Sequence, residues 1–476
     1  MAELVKLIGL DFGTTTSSAV VALASLTKTA TGRMELVSPE EIFRSEMVFT
    51  PMLSNERIDL DQVKLLVDSW LEAGKVQAGK LFGGGALLTG LTAQKENAAA
   101  LVRLIRGRFD DALVATADDP CLESWLSFMG SAVGLSRQHP EKAILNFDIG
   151  GGTTNLALGR NQQVLRTGSL FLGARHVQLD PGTYRIAKLS TYARNVFAHL
   201  HIDKGPGEHL LETEVAAFLN FYLSILDAVC GRNTDFLTLP IVKCLIQVPF
   251  QMPTDVRDAV ITFTGGVGEL VYRHLQGEPW PTTTKFGDLG IDLAQRIVQS
   301  PIWMTSLRHF RPKSAGRATV YGLLQHSTEI SGSTLFLGAP GILPLADLPI
   351  LGRLSSEDTD ARIQEVLSWV SRSSRGGCVQ IRIGGQQASL VRNFGERVSR
   401  ILTEIAFPAT LPLVLLVQEN VGKVLGQYVT RWGSLRLQLL VIDEVNLRDA
   451  QYVQIGASQH QIVPLSFYGL TPESGM

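Results

Sequence analysis

The chain has 476 residues, 45% of them hydrophobic and 18% charged, so we expect two to four compact globular domains and no extensive disorder. Its 43 basic and 45 acidic residues give a net charge of −2, which offers no general attraction to nucleic acid or to an anionic membrane surface. The four cysteines form no C-x-x-C pair, and no targeting segment or membrane span is evident. We therefore expect a soluble, cytoplasmic protein with reduced thiols.

The first predicted element is a hairpin over residues 4–23 with a polar turn. An apolar run ends in Asp11, and the turn Gly13-Thr14-Thr15-Thr16 follows before the next apolar run. Glycine removes side chains that would block a phosphate, and successive N–H groups and threonine hydroxyls bind anions. Asp11 would repel a phosphate by itself, but it suits a hydrated Mg²⁺ that bridges carboxylate and phosphate. The turn thus predicts a phosphate and metal site, with an ordinary glycine-rich hairpin as the alternative.

The following stretch is predicted to carry an insertion near residues 60–110. Apolar residues at helical spacing predict a helix over Asp59 to Ala73 and another over Asn97 to Arg106. Between them, Gly83 to Gly85 lack the G-x-x-x-x-G-K-[ST] pattern, so we interpret them as a turn before a buried strand. An extended pair over Met34 to Phe49 and a strand over Asp111 to Ala117 complete this part.

A helix predicted over Leu122 to Leu135 has an unusual face. Small residues recur three or four positions apart, at Ser124, Ser127, Ser131 and Gly134. A face of this kind lets another helix approach closely. Glu123, in the first turn, is a candidate site residue; the alternative is a solvated or capping glutamate.

The hairpin motif occurs a second time. The segment Leu145 to Asn155 runs from an apolar strand through Asp148 into Gly150, Gly151, Gly152, Thr153 and Thr154. Self-similarity between distant segments suggests duplicated halves whose phosphate turns face each other across a cleft. A third segment, Ile261 to Leu270, runs from a β-branched strand into Gly265-Gly266 and a helix start, where adenine would lie against bare backbone. The three motifs in this order resemble the actin/Hsp70/sugar-kinase superfamily of ATPases.

The rest of the chain adds a second insertion and a third unit. A long amphipathic helix is predicted over Leu210 to Val229, within an insertion near residues 175–240. Pro/Gly-rich sequence after residue 335 marks a boundary, and alternating strand and helix patterns beyond it indicate an α/β unit. The predicted fold class is α/β: duplicated actin/Hsp70-like (ribonuclease H-like) halves over residues 1–140 and 141–335, plus a C-terminal α/β domain over 336–476. His199, His201 and His209 lack metal-site spacing and are interpreted as a solvated loop.

Several segments outside the phosphate turns resemble the ethanolamine ammonia-lyase reactivating factor (EutA) family over nearly the whole chain. They include Thr89 to Ala98, Thr264 to Val267, Arg317 to Gly322, Glu329 to Thr334 and Gln418 to Lys423. The sequence departs from the family pattern in two places. Leu323-Leu324 replaces small residues at the expected helix crossing, and Leu91 replaces an acidic residue.

The resemblance implies a chaperone-like reactivase that uses ATP and Mg²⁺. Such a protein makes inactivated ethanolamine ammonia-lyase release damaged cobalamin, so that intact adenosylcobalamin can rebind. Asp11 and Asp148 would hold Mg²⁺, Glu123 or Asp148 would orient water, the two turns would bind phosphates, and Gly265 and Gly266 would contact adenine. The lyase is the implied partner, and we expect the surface that binds it in the third unit or in the insertions. Self-association and association with a bacterial microcompartment are both compatible with the sequence.

Two other functions remain open at this point, because a fold does not determine a function. A small-molecule kinase of the same superfamily needs a carboxylate base for a substrate hydroxyl, and no second motif indicates one. An actin-like filament or scaffold ATPase would polymerise with ATP.

Overall fold

The structure is a computed structural model with three consecutive α/β units. It describes residues 3–14, 16–28, 34–54, 57–77, 81–88, 96–109, 114–117, 120–254, 256, 258–326, 328–330, 335–339, 341–456 and 463–470. Within these ranges no helix is both long enough and apolar enough to span a membrane.

The first unit is built on a mixed sheet with strand order β3-β2-β1-β7-β8, and β4 pairs with β2. The predicted hairpin and both predicted helices are confirmed, and the Asp59 side chain caps the first helix by accepting a hydrogen bond from the Gln62 amide. The elements are β1 (Glu3–Phe12), β2 (Thr16–Lys28), β3 (Met34–Arg44), β4 (Val48–Phe49), β5 (Met52–Ser54), β6 (Arg57–Ile58), α1 (Leu60–Ala73), β7 (Leu81–Leu88), α2 (Ala98–Phe109) and β8 (Val114–Ala117).

The second unit repeats this sheet. A continuous helical segment precedes it, made of α3 (Pro120–Ser127), a π-helical turn (Phe128–Ala132) and α4 (Val133–Gln138). The remaining elements are β9 (Ile144–Ile149), β10 (Thr154–Arg160), β11 (Gln163–Leu170), β12 (Val177–Leu179), β13 (Ile186–Leu189), α5 (Thr191–His199), α6 (Glu212–Val229), α7 (Pro240–Lys243), β14 (Ile246–Val248), β15 (Val260–Thr264), α8 (Gly265–Leu275), α9 (Gly290–Gln299), α10 (Pro301–His309) and α11 (Ala318–His326).

The pairing of strands shows the duplication directly. In the first sheet β1 pairs antiparallel with β2, β2 antiparallel with β3, and β1 parallel with β7. In the second sheet β9 pairs antiparallel with β10, β10 antiparallel with β11, and β9 parallel with β15. The two hairpins predicted from sequence therefore occupy equivalent places in two related sheets.

Two helices lie between the sheets and cross at close range. Helix α11, which follows the second sheet in the chain, packs on the first sheet. The π-helical turn, which follows the first sheet in the chain, packs on the second. At the crossing, a methyl group added to Gly130 would lie 1.8 Å from the carbonyl oxygen of Ala318, and one added to Gly322 would lie 2.1 Å from that of Leu126. Glycine is thus required on both helices at this point.

The crossing corrects the prediction about the serine face. The place of the close approach is confirmed, but its small residues are Gly130 and Gly322. Ser124 instead donates a hydrogen bond to the carbonyl of Gly168 in β11, so the serine face lies on the second sheet. Gly134 has nothing within 4 Å of an added methyl group. Of the two leucines that depart from the family pattern, Leu323 packs between α3, at Leu122 and Leu126, and the first sheet at Gly85. Leu324 lies on the first sheet near Gly9.

The interpretation of Gly83 to Gly85 as a turn is wrong, because all three residues lie inside the buried strand β7. A methyl group at Gly84, whose φ is 143°, would lie 2.0 Å from the carbonyl oxygen of Ile8, and one at Gly85 would lie 2.4 Å from Leu323. Gly84 lets β7 lie close to β1, just after an irregularity in their pairing, and Gly85 lets α11 lie directly on the sheet.

The third unit is an eight-stranded sheet of order β16-β23-β22-β18-β19-β20-β21-β17 with helices on one face. The predicted alternation of strands and helices is confirmed, and strands β19, β20 and β21 pair in parallel. The elements are β16 (Thr328–Ile330), β17 (Leu335–Leu337), β18 (Leu345–Ser355), α12 (Asp360–Arg372), β19 (Gly377–Arg382), α13 (Ala388–Glu404), β20 (Leu413–Val417), α14 (Gly422–Val429), β21 (Leu439–Ile442), β22 (Ala450–Ile455) and β23 (Pro464–Leu470).

Part of this sheet was not expected from sequence. Strand β18 runs through the Pro/Gly-rich passage, and its Pro349 is tolerated between two irregularities of the pairing. Strands β16 and β17 precede that passage and pair with β23 and β21, so residues before 336 also contribute to the sheet. The segments 89–95 and 331–334, which contribute to the family resemblance, lie outside the described residues.

The third unit packs against α3. The guanidinium carbon of Arg448 lies 5.3 Å from the ring centre of Trp125 in α3 and 5.6 Å from that of Phe467 in β23. Gln380 holds the backbone of Arg448 by two hydrogen bonds of 2.8 and 2.9 Å. The cation is therefore held between one ring of the core and one ring of the third unit.

Candidate functional site

The two polar turns close with the same hydrogen bond. The amide of Gly13 donates to the carbonyl of Thr16, and the amide of Gly150 donates to the carbonyl of Thr153, each at 2.9 Å. In each case the aspartate lies two residues before the glycine, at the end of the first strand of a hairpin. Asp11 and Asp148 are therefore equivalent residues of the two halves.

The two turns line one cleft of about 480 Å³, a size typical of small-molecule and cofactor sites. Most predicted site residues line it: Asp11, Gly13, Thr14, Thr16, Glu123, Asp148, Gly150, Gly151, Gly152, Thr153, Gly265 and Gly266. Thr15 lies outside the described residues. The Thr154 hydroxyl is buried and donates to the carbonyl of Leu172, so this side chain is engaged beside the cleft.

Asp148 is buried at the end of β9 and is sensitive to charge. Burial raises the pKa of its carboxyl to about 7; the hydrogen bond from Thr264 opposes this rise, and the nearby negative charge of Asp11 adds to it. A divalent cation would relieve both the desolvation and the repulsion between the two carboxylates. Among the described residues, no group of three or more His, Cys, Asp or Glu side chains could hold a metal. A pair of carboxylates suits Mg²⁺, which keeps several waters and takes phosphate oxygens as further ligands.

Glu123 reaches the cleft from α3, as predicted. Its side chain is buried, and its Oε2 accepts a hydrogen bond of 2.7 Å from the side-chain amide (Nδ2) of Asn155 in β10. Asn155 also lines the cleft and was not singled out from sequence. Its polar side chain next to Thr154 was the available signal, but only the pairing of β10 with the neighbouring strands brings it to Glu123.

The Gly265-Gly266 pair forms the start of α8, beside Asp148. Gly265 has a φ of 75°, and a methyl group there would lie 2.5 Å from the carbonyl oxygen of Ile149, so only glycine fits. At Gly266 an added methyl group would meet nothing within 4 Å, which leaves the backbone open for a flat ligand. Four charged residues that were not predicted from sequence also line the cleft, namely Glu269, Arg273, Lys285 and Asp288.

His176 supports the second turn from behind and was also missed. It is fully buried, with Nε2 2.8 Å from the carbonyl oxygen of Gly152 and Nδ1 2.8 Å from the Ser190 hydroxyl. Burial lowers the pKa of His176 to about 4, so the ring is neutral at physiological pH. A carbonyl oxygen only accepts, so we assign the ring proton to Nε2, which donates to Gly152. Nδ1 of the neutral ring then accepts the proton of the Ser190 hydroxyl, whose oxygen accepts from the Ala193 amide. No local pattern indicates this contact, which spans 24 residues.

These features together define an actin/Hsp70-like ATPase fold. They are two sheets of the same topology, a pair of crossing helices between them, two aspartate-bearing turns and a helix that starts at Gly-Gly. The chain belongs to the family described as "Ethanolamine utilisation protein EutA", whose model matches residues 3–471.

Known proteins similar to the chain share its length. It is 27% identical over 468 residues to ethanolamine ammonia-lyase reactivase EutA of Escherichia coli (strain K12), covering 94% of each chain. It is 29% identical over 472 residues to the protein of the same description from Salmonella typhimurium, again covering 94% of each. Among solved structures, an exopolyphosphatase from Cytophaga hutchinsonii is similar with a TM-score of 0.38 and 12% identity, covering 67% of this chain and 96% of that one.

Proposed function

We propose that this protein is an ATP-dependent reactivase of ethanolamine ammonia-lyase, which makes the inactivated lyase release damaged cobalamin so that intact adenosylcobalamin can bind. The observation that carries the ATPase part is the pair of equivalent aspartate-bearing turns on one cleft. The lyase as partner is supported by membership of the EutA family and by the reactivase description of both relatives.

Each part of the cleft has a role in this proposal. Asp11 and Asp148 would hold hydrated Mg²⁺, which would neutralise phosphate charge. Gly13 to Thr16, with Thr15 still a prediction, and Gly150 to Thr154 would bind phosphates through amides and hydroxyls. Glu123, held by Asn155, would orient the attacking water, with Asp148 as the other candidate for this role. Gly265 and Gly266 would lie against adenine. Catalysis would consist mainly of positioning and charge neutralisation.

Hydrolysis must be coupled to the partner through a change in shape. A nucleotide held by both turns favours a closed arrangement of the halves, and loss of the γ-phosphate shifts the population towards an open one. Helix α3 connects the two ends of such a change, because it carries Glu123 in the cleft and Trp125 against Arg448 of the third unit. We therefore place the lyase-binding surface in the third unit or in the insertions.

The proposal is tested with ethanolamine ammonia-lyase that has been inactivated by bound cyanocobalamin. The protein is added with ATP, Mg²⁺ and free adenosylcobalamin, and recovery of deamination is followed. We expect recovery with the wild type and with Asp258→Ala, which removes an exposed carboxylate outside the cleft, the insertions and the third unit, and none with Asp148→Ala. ATP hydrolysis without any recovery would contradict the reactivase function. Phosphate transfer to amino alcohols or sugars, and ATP-dependent sedimentation, would then identify a kinase or a filament protein.

A further inference from the structure

Four polar side chains form a row between β9 and β15 that ends at Asp148. Asn146 and Asp148 lie two residues apart in β9 and so share one face of the strand. In the parallel pairing, Thr262 lies opposite Asn146 and Thr264 opposite Asp148. Asn146, Thr262 and Thr264 are fully buried. Buried polar groups of this kind are costly unless every one is hydrogen-bonded.

The hydrogen bonds of this row all run in one direction. Thr262 Oγ1 donates to Asn146 Oδ1 at 2.9 Å, which fixes the orientation of the amide. Asn146 Nδ2 then donates to Thr264 Oγ1 at 2.9 Å. Thr264 Oγ1 donates to Asp148 Oδ1 at 2.8 Å. A hydroxyl has a single proton. Because the Thr264 oxygen accepts a hydrogen bond from Asn146, its own proton is free to point at the carboxylate of Asp148.

We infer that Asn146 is a positioning residue for the cleft, acting through Thr264 on the carboxylate of Asp148. The row, Thr262 to Asn146 to Thr264 to Asp148, supplies a fixed donor to Oδ1 and so leaves the other carboxylate oxygen for a metal ion with its nucleotide. A carboxylate that is already oriented loses less freedom when the ion binds. This inference rests on the proposed function, since it takes Asp148 as a holder of Mg²⁺.

The test is nucleotide binding measured by calorimetry, with Mg²⁺ and separately with EDTA, which does not depend on turnover. Thr264→Val removes the donor at nearly constant volume, Thr264→Ser keeps it, and Asn146→Leu removes the amide that directs it. Loss of one hydrogen bond to a charged group corresponds to about a tenfold change in affinity. We expect Thr264→Val and Asn146→Leu to weaken ATP binding about tenfold with Mg²⁺ and to leave binding in EDTA nearly unchanged. Thr264→Ser should match the wild type.

A double variant separates positioning from packing. Because Asn146 acts through Thr264, Asn146→Leu combined with Thr264→Val should bind Mg²⁺ and ATP no more weakly than Thr264→Val alone. Equal losses with Mg²⁺ and with EDTA, or additive losses in the double variant, would overturn the inference. Should Asn146→Leu fail to fold, the Thr264→Val and Thr264→Ser pair still decides whether the donor matters. A wild-type protein whose ATP binding ignores Mg²⁺ would instead refute the role of Asp148 in the proposed function, and the inference with it.

Discussion

The helix crossing gives a sharp prediction, since two glycines four residues apart differ in what surrounds them. At Gly130 a methyl group would lie 1.8 Å from the carbonyl oxygen of Ala318, so α11 must move by about 1.2 Å to reach the 3.0 Å below which such contacts are essentially never seen. We expect Gly130→Ala to lower the free energy of unfolding by roughly 1–3 kcal/mol, the usual cost of overpacking. At Gly134 an added methyl group meets nothing within 4 Å, and Gly134→Ala should stabilise α4 by about 0.5–1 kcal/mol.

Urea unfolding of the two variants beside the wild type measures this difference. The same alanine raises helix propensity in both variants, so the contrast isolates the contact with α11. Gly130→Ala should also change ATP hydrolysis, because it separates the helices that join the two halves, whereas Gly134→Ala should leave it unchanged. Equal stabilities of the two variants would refute the glycine-mediated crossing. If Gly134→Ala were destabilised and Gly130→Ala had normal stability, the close approach would instead lie on the face with the serines and Gly134, as first predicted.

Three further predictions concern the buried ionisable groups and the third unit. His176 has a pKa of about 4 in the fold and an ordinary value of 6.5, so the unfolded chain takes up a proton first as the pH falls. The free energy of unfolding should therefore decrease between pH 6.5 and pH 4, by about 2 kcal/mol at pH 5. Urea unfolding of His176→Gln should lack this decrease, and an unchanged pH dependence would contradict the assignment. Asp148 has a raised pKa, so the nucleotide-free protein keeps the carboxyl proton and loses stability as the pH rises from 4 to 7. In EDTA, Asp148→Asn should therefore be stabilised relative to the wild type more at pH 8 than at pH 5. A stabilisation independent of pH would refute this. Arg448→Ala should reduce lyase reactivation more than ATP hydrolysis, while Arg160→Ala, which removes an exposed side chain at the end of β10, outside the third unit and the insertions, should affect neither. Equal loss of both activities in Arg448→Ala would contradict the coupling through α3.

The parts of the site that sequence predicts are those encoded over a few residues. An apolar strand, an aspartate and a glycine-threonine turn specify a hairpin with a polar tip locally, so Asp11, Asp148 and the described residues of both turns come to line one cleft. The Gly-Gly helix start at Gly265 is local in the same sense. Secondary structure of the third unit follows mostly from periodicity, except where Pro349 in β18 disguises a strand.

The missed parts depend on contacts between distant residues. His176 reaches Gly152 only because the chain returns behind the second turn, and Asn155 meets Glu123 only because α3 lies on the second sheet. The small residues at the helix crossing could not be chosen from spacing, because serines that face a sheet and glycines that face a helix recur with similar periods. The glycines of β7 were misread for a related reason: a close approach of α11 to a strand requires glycine as much as a turn does.

Release of cobalamin itself is the most direct measurement of the proposed function. Inactivated ethanolamine ammonia-lyase with bound cyanocobalamin is incubated with the protein, ATP and Mg²⁺, and the cobalamin that separates from the lyase on gel filtration is measured by its absorbance. We predict free cobalamin with the wild type and ATP, and cobalamin retained on the lyase without ATP or with Asp148→Ala. Cobalamin that stays on the lyase while the wild type hydrolyses ATP, or that leaves equally well with Asp148→Ala, would contradict an ATP-driven release from this cleft.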